Sequence, residues 1–527
     1  MHTHLKVPIY AVLAGFCITQ AQAQALPSSQ LNNPWFVEAQ QHVNSRASLA
    51  SADTAKNLIL FVGDGMGIAT LTAARIYGGQ QEGGLGEENI LSFERFEHTA
   101  LVKTYNTDAQ IPDSAGTMTA MMSGLKTNAG LVGVHPSVRR GNCEAVADNE
   151  LPAVVELAEI KGLSTGVVST ARITHATPAA TYAKSADRSW EDISDIPENA
   201  VAQGCVDIAK QLIDFESNTE RRFPNMDVDG IDVVLGGGRR HFLPSNPSSD
   251  LVNTFGQASG DRTDAINLIE QWQQLYPQGR YVFDEAGLDS LDMNAEQRVF
   301  GLFNSSHMEY DAQRTESSGR EPSLSKMTRK AIELLDNNAN GFVLIVEAGR
   351  IDHSHHAGNA YGALNETVEL ARAVSVAQDM TNSADTLIMV TADHSHVMTI
   401  SGYPARGNPI LGKVQSKGGD SPALASDGLP HTTLGYTNGP GFRDYGDNTN
   451  PDRTYADGSV AGRQNLSQVN TRASGFHQET LVPLVAETHG GEDVSVHATG
   501  PGAFRAQGTI EQSQIFHIID KALRLTE

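Results

Sequence analysis

Thr386-Leu-Ile-Met-Val390 runs straight into Thr391-Ala392-Asp393-His394-Ser395-His396. The first five residues show no polar alternation, which is the pattern of a strand buried on both faces. A carboxylate and an imidazole side by side at the end of such a strand suit a divalent cation. Aspartate supplies oxygen, histidine supplies nitrogen, and zinc accepts both. Three more segments follow the same plan. Asn57-Leu-Ile-Leu-Phe-Val-Gly63 ends in Asp64-Gly-Met-Gly67. Gly341-Phe-Val-Leu-Ile-Val346 ends in Glu347-Ala-Gly-Arg-Ile-Asp352-His353-Ser-His355-His356. The last is Glu487-Thr-His489-Gly-Gly-Glu-Asp493. Strand ends of one α/β sheet meet at its carboxyl edge, where such sheets hold their sites. The pattern therefore predicts a polynuclear metal site.

Between these segments strand and helix patterns alternate, the mark of an α/β fold with a central, mostly parallel sheet covered by helices on both faces. Leu163 to Ser169 and Ile231 to Leu235 read as further strands. Leu151 to Lys161, Asn359 to Met380, Glu511 to Arg524 and a surface stretch from Pro34 to Ser48 read as helices. Gly236-Gly-Gly238 lacks the Lys-Ser/Thr ending of a nucleotide loop and reads as a tight turn. Residues 401–477 break the pattern. They are rich in Gly, Pro, Asp, Asn and Ser and lie between the third and fourth ligand segments. They are expected to form a crown-like surface insertion beside the site, within a catalytic domain spanning 26–527.

Residues 1–25 read as a secretory signal. Lys6 precedes the apolar run Val7 to Ile18, and Ala21-Gln-Ala23 or Ala23-Gln-Ala25 offers the cleavage site. This predicts a periplasmic or secreted protein. No later run is long enough to span a bilayer, and the charged C-terminus lacks a lipid-anchor tail, so no membrane anchor is expected. Without the leader two cysteines remain, Cys143 and Cys205. In an exported chain they point to one disulfide, with two buried free thiols as the alternative. The 527 residues carry 38 basic and 62 acidic side chains, a net charge of −24. That balance argues against nucleic acid as a partner.

Pro112-Asp113-Ser114-Ala-Gly-Thr117 places a serine where a helix begins. Free N–H groups and the helix dipole favour an anion there, and a hydroxyl beside a divalent cation becomes a nucleophile. Taken with the four ligand segments, these motifs resemble the alkaline phosphatase family, in the family's order and across nearly the whole chain after the leader.

The resemblance implies hydrolysis of small-molecule phosphate monoesters to alcohol and inorganic phosphate. Two in-line displacements would pass through a phosphoserine at Ser114, with two Zn2+ and one Mg2+ as cofactors. It implies Asp352, His356 and His489 for one zinc, and Asp64, Asp393 and His394 for the other. Asp64, Thr177 and Glu347 would hold magnesium. Arg188 would grip two phosphoryl oxygens, as a planar guanidinium does well. His175 and His353 would stand behind the ligands, His175 toward magnesium or phosphate and His353 toward phosphate. Arg172 competes with Arg188 by position, and the family pattern favours Arg188. His355 and His396 are expected to orient neighbouring ligands.

The histidines at 175 and 353 resemble the animal branch of the family, as do Cys143 and Cys205, which match a disulfide pair there. That branch also has a calcium site. Here Phe303-Asn304 puts an amide where an acidic residue is expected, with Glu321 as a remaining carboxylate, so the sequence argues against calcium. The resemblance also implies a homodimer. The alternative function is that of a phosphodiesterase in the same superfamily. A non-catalytic phosphate-binding protein fits less well, because Ser114 is present.

Overall fold

The structure is a computed structural model that describes residues 26–44, 54–295, 298–314, 320–419, 421–447 and 450–527. The candidate leader lies outside the described residues. Ten strands form one sheet: β1 (Asn57–Gly63), β2 (His98–Lys103), β3 (Ser164–Arg172), β4 (Val233–Gly237), β5 (Arg280–Val282), β6 (Val299–Leu302), β7 (Phe342–Ala348), β8 (Thr386–Ala392), β9 (Val494–Thr499) and β10 (Gly508–Glu511). Their spatial order is β10-β2-β9-β8-β1-β7-β3-β4-β6-β5. Only β9 runs antiparallel to its neighbours, β2 and β8.

The three central strands are buried along their full length, as their unbroken apolar sequences require. One face packs beneath the helices Ile68–Gln81, Leu324–Leu335 and Ala360–Met380. The other lies beneath Pro34–Asn44, Ser114–Ser123, Val154–Ile160 and Gln514–Leu523. Gly63 is in register with Ala348 and with Ala392. The three strands therefore stop together, and Asp64 and Asp393 leave the sheet at one edge beside Glu347, near the end of β7.

Several boundaries differ from the sequence reading. β3 runs past Ser169 to Arg172, β4 takes in Gly236 and Gly237 of the expected turn, and the helix expected from Leu151 opens at Val154. Glu511 closes β10 instead of opening the last helix, which starts at Gln514. The helix expected from Asn359 begins at Ala360, because the Asn359 side chain caps it by accepting from the Gly362 N–H at 2.6 Å. The Gly238 turn holds φ at +95°, where glycine is favoured.

The 401–477 segment carries strand Leu434–Gly439, which pairs with Met398–Ile400 and Thr480–Pro483 in a small three-stranded sheet. It also carries the 3₁₀ turn Pro451–Ala456, which packs on the helix Arg350–His356. Cys143 and Cys205 are joined by a disulfide, with 5.6 Å between their Cα atoms. They belong to a separate apolar cluster with Leu131, Val134, Val138 and Trp190.

Candidate functional site

The four ligand segments converge at the carboxyl edge of β1, β7 and β8. Asp64, Asp393 and His394 are fully buried and form one group of cation-ligating side chains. Asp64, His175 and Glu347 form a second, and Asp352, His356, His396 and His489 a third. The strand-to-loop step after β1 needs Gly65, whose φ is +69°. A Cβ there would come within 2.3 Å of His396 Nε2, so any side chain would displace that imidazole.

The Asp64 group is poor in donors. Both carboxylate oxygens of Asp64 lack a hydrogen-bond partner, as do Asp393 Oδ2, Glu347 Oε1, Thr177 Oγ1 and His175 Nδ1, all of them buried. Burial, and then the charges of Asp393, Asp352 and Glu347, push the Asp64 carboxyl well above its ordinary value. Glu347 is pushed up to about 7, first by burial, although Ser169 donates a short hydrogen bond to it. Asp393 is raised by burial and by Asp352, even though its Oδ1 accepts from the Gly65 and His394 N–H groups at 2.9 and 2.8 Å. Orphaned, mutually repelling carboxylates of this kind are what a divalent cation offsets.

The Asp352 group is held differently. His356 Nδ1–H donates to the Glu487 carbonyl at 2.5 Å, and His489 Nδ1–H donates to the Pro112 carbonyl at 2.7 Å. In each ring Nε2 is left for a proton or a metal. Those two Nε2 atoms stand 3.2 Å apart and lie 3.2 and 3.4 Å from Asp352 Oδ1. His396 completes the group. Its Nε2 donates to Asp352 at 2.8 Å and its Nδ1 to Glu487 at 2.5 Å. Burial alone would lower the His396 pKa, but the carboxylates on its two sides push it up to about 10. With both N–H groups committed, His396 orients Asp352 and has no lone pair for a cation. Oxygen with imidazole nitrogen fits zinc, and the oxygens of Asp64, Glu347 and Thr177 fit magnesium.

Ser114 opens the helix Ser114–Ser123, and the cap is its neighbour. Asp113 Oδ1 accepts from the Gly116 N–H at 3.1 Å. The Ser114 hydroxyl is thereby free of capping duty, and it lies 3.2 Å from His394 Nε2. That same nitrogen is 3.4 Å from Asp64 and 3.3 Å from Asp393. Arg188 donates to Asp113 Oδ2 at 3.1 Å and reaches His175 Nε2 at 3.2 Å, which holds its guanidinium against the residue that precedes Ser114. Arg172 makes a two-pronged ion pair with Glu191, and its other arm meets His307. His355 is spent on Thr70 and Tyr436, at 2.9 and 2.7 Å.

A buried serine hydroxyl, an arginine held against the residue before it and three cation-ligating groups around it make a phosphoryl-transfer site. Residues 55–525 match the profile of the family described as alkaline phosphatase. The chain belongs to the alkaline phosphatase family. It is 40% identical over 519 residues to the tissue-nonspecific alkaline phosphatase of Felis catus, covering 97% of this chain and 92% of that protein. The Homo sapiens isozyme is 39% identical with the same coverage. The alkaline phosphatase of Gadus morhua is 40% identical over 497 residues, 93% of this chain and 96% of that one. Among solved structures, Thermus thermophilus alkaline phosphatase superposes with a TM-score of 0.62 at 22% identity, covering 95% of this chain and 96% of that one. The enzyme of the Antarctic bacterium TAB5 gives 0.56 at 20% identity, with 90% and 99% covered.

As an alkaline phosphatase the chain is a metal-dependent phosphomonoesterase, and the phosphodiesterase alternative is not favoured. The mostly parallel sheet with helices on both faces is the fold expected from the sequence. Three partners in this alkaline phosphatase escaped sequence reasoning. Glu487 sits in a quoted motif, yet its carboxylate binds His396. His307 lies tilted against His353, with 4.0 Å between ring centroids. Asp452 reaches helix Arg350–His356 from the 401–477 segment. Where the animal branch has calcium, Asn304 Nδ2 donates to Glu321 Oε1 at 2.6 Å and the Glu309 N–H donates to Oε2 at 2.8 Å, so both oxygens have protein partners.

Proposed function

We propose that the enzyme hydrolyses phosphate monoesters through a phosphoserine at Ser114, in a site that takes two Zn2+ and one Mg2+. The observation that carries this reading is the uncapped Ser114 hydroxyl, 3.2 Å from His394 Nε2, at the meeting point of buried carboxylates without partners. Asp352, His356 and His489 would hold one zinc. Asp64, Asp393 and His394 would hold the second, and Asp64, Thr177 and Glu347 the magnesium. Bound there, the cations would supply Lewis acidity, easing loss of a hydroxyl proton and balancing charge on the departing oxygen.

The chain's own residues do the rest. Arg188, steadied by Asp113, clamps two phosphoryl oxygens and fixes phosphorus opposite the serine. Ser114 Oγ gives up its proton to solvent and bonds to phosphorus as the alcohol leaves on the far side. Water then attacks the same phosphorus, the serine ester breaks, and inorganic phosphate departs. Two inversions leave the configuration at phosphorus retained. His175 and His353 line the phosphoryl side of this space, and His175 keeps Arg188 in place.

The homodimer implied by the family has a matching surface. Leu481 and Val485 are more than three-quarters exposed; Leu481 and Val482 lie on the edge strand Thr480–Pro483, which pairs with the 401–477 segment, and Leu484 and Val485 follow it. An apolar run of that kind suits burial against a second copy. We read 401–477 as a crown-like insertion and 1–25 as a leader for export to the periplasm or medium.

The test compares p-nitrophenyl phosphate with bis-p-nitrophenyl phosphate, using wild type and Ser114→Ala with and without added zinc and magnesium. Monoester preference that disappears on chelation and in the variant is expected. Diester preference, or activity indifferent to Ser114, would overturn the reading.

A further inference from the structure

Arg350 is buried, and its guanidinium lies 3.6 Å above the Tyr310 ring. One arm donates to Asp452 Oδ2 at 3.0 Å, and the other donates to His353 Nδ1 at 3.0 Å. The Tyr310 hydroxyl donates to the remaining Asp452 oxygen at 2.7 Å. Asp452 is itself fixed, because Asn450 Oδ1 accepts from its N–H at 3.0 Å where the 3₁₀ turn begins. Tyr310, Asp452 and Arg350 thus form a closed triangle with one free arm, and that arm ends on His353.

The chemistry of the arm assigns a tautomer. Arginine has only donors, so His353 Nδ1 must be the lone-pair nitrogen and Nε2 must carry the hydrogen. The ring stands beside His175, with centroids 5.4 Å apart, and His175 touches Arg188. We propose that Asp452 is a positioning residue: through Arg350 it fixes the tautomer and direction of His353, so that the Nε2–H is presented to the phosphoryl oxygens. The 401–477 segment thereby sets the phosphate affinity of a centre built on strands far from it in sequence. The inference rests on the reading above that His353 faces the phosphoryl group.

Both Asp452 oxygens meet donors, so Asp452→Asn must turn an N–H toward one of them, and the triangle loosens. The readout is the affinity of the metal-loaded enzyme for inorganic phosphate by calorimetry, together with KM and kcat on p-nitrophenyl phosphate. Asp452→Asn should raise the phosphate Kd and KM about fivefold, with a smaller change in kcat. In a His353→Ala background the same change should move Kd by less than about 1.5-fold, because the effect runs through His353. Tyr310→Phe removes one hydroxyl of the triangle. It should act in the same direction by about twofold, and it serves as the probe if Asp452→Asn does not fold. A plain tether would weaken binding equally with and without His353, and that outcome overturns the proposal. So does an unchanged phosphate Kd in Asp452→Asn and Tyr310→Phe while His353→Ala still weakens binding, which leaves the role of His353 standing. If His353→Ala itself leaves phosphate affinity unchanged, the reading of His353 fails and the relay with it.

Discussion

Asp64, Asp393 and Glu347 crowd three carboxylates into a space with few donors, whereas Asp352 stands among three imidazoles. The first half of the site keeps four of its six carboxylate oxygens unpaired and its carboxyls raised by burial and by one another. In the second half burial would raise the Asp352 carboxyl, but His356, His396 and His489 hold it well below its ordinary value. One half is preorganised by its own hydrogen bonds, and the other leaves oxygens open for cations. The contrast means that stability and activity respond to metal through different residues.

The largest effect is expected at Asp64, which belongs to two of the three ligand groups. Asp64→Ala should lower kcat/KM by at least roughly 1,000-fold, with metal content falling in parallel. A variant that keeps its metals and most of its activity would erase the distinction between the halves. Next comes His396, whose two N–H groups are given to Asp352 and Glu487. His396→Ala should weaken metal affinity by about 10- to 100-fold, read by competition with a chelator. A loss as severe as that at Asp64 would make His396 a ligand.

The acidic half should also be visible in the pH dependence of the metal-free protein. Glu347 has an ordinary value of 4.5, raised to about 7 in the fold. Between those values the folded chain holds a proton that the unfolded chain has lost. Stability from this group therefore falls as pH rises through that window, by on the order of 3 kcal/mol. Glu347→Gln, which carries no charge, should lack that fall, and metal should abolish it in wild type. Parallel pH curves for the two metal-free proteins would contradict the electrostatic account. The smallest effect on activity belongs to the disulfide, which sits in a different apolar cluster from the site. Cys143→Ser with Cys205→Ser should cost about 2–4 kcal/mol of stability and leave kcat within about twofold. A collapse of kcat in the folded variant would tie that cluster to the centre.

The same contrast marks how far the sequence could be read. The central strands and the residues that follow them were legible because buried parallel strands are unbroken apolar runs, and each ends in ligand-type residues. Ser114 was legible through its motif, but its cap was not. Either Asp113 or Ser114 can cap a helix, and only the Gly116 contact decides for Asp113. The Asp452–Arg350–His353 chain was invisible because it joins residues 102 positions apart through a segment without periodicity. The partners of His396, Asp352 and Glu487, were hidden for a related reason, although its task of orienting a neighbour was expected. They depend on the short antiparallel pairing of Ser395–His396 with His489–Gly490, a two-residue ladder that leaves no pattern.

The central claim is that phosphorus is attacked twice, first by Ser114 and then by water or another acceptor. The direct measurement is the stereochemistry of transfer from a phosphate monoester made chiral with oxygen isotopes to an acceptor alcohol. Net retention is the result this account predicts, because two in-line displacements invert twice. Net inversion would show a single direct displacement and would contradict a phosphoserine at Ser114.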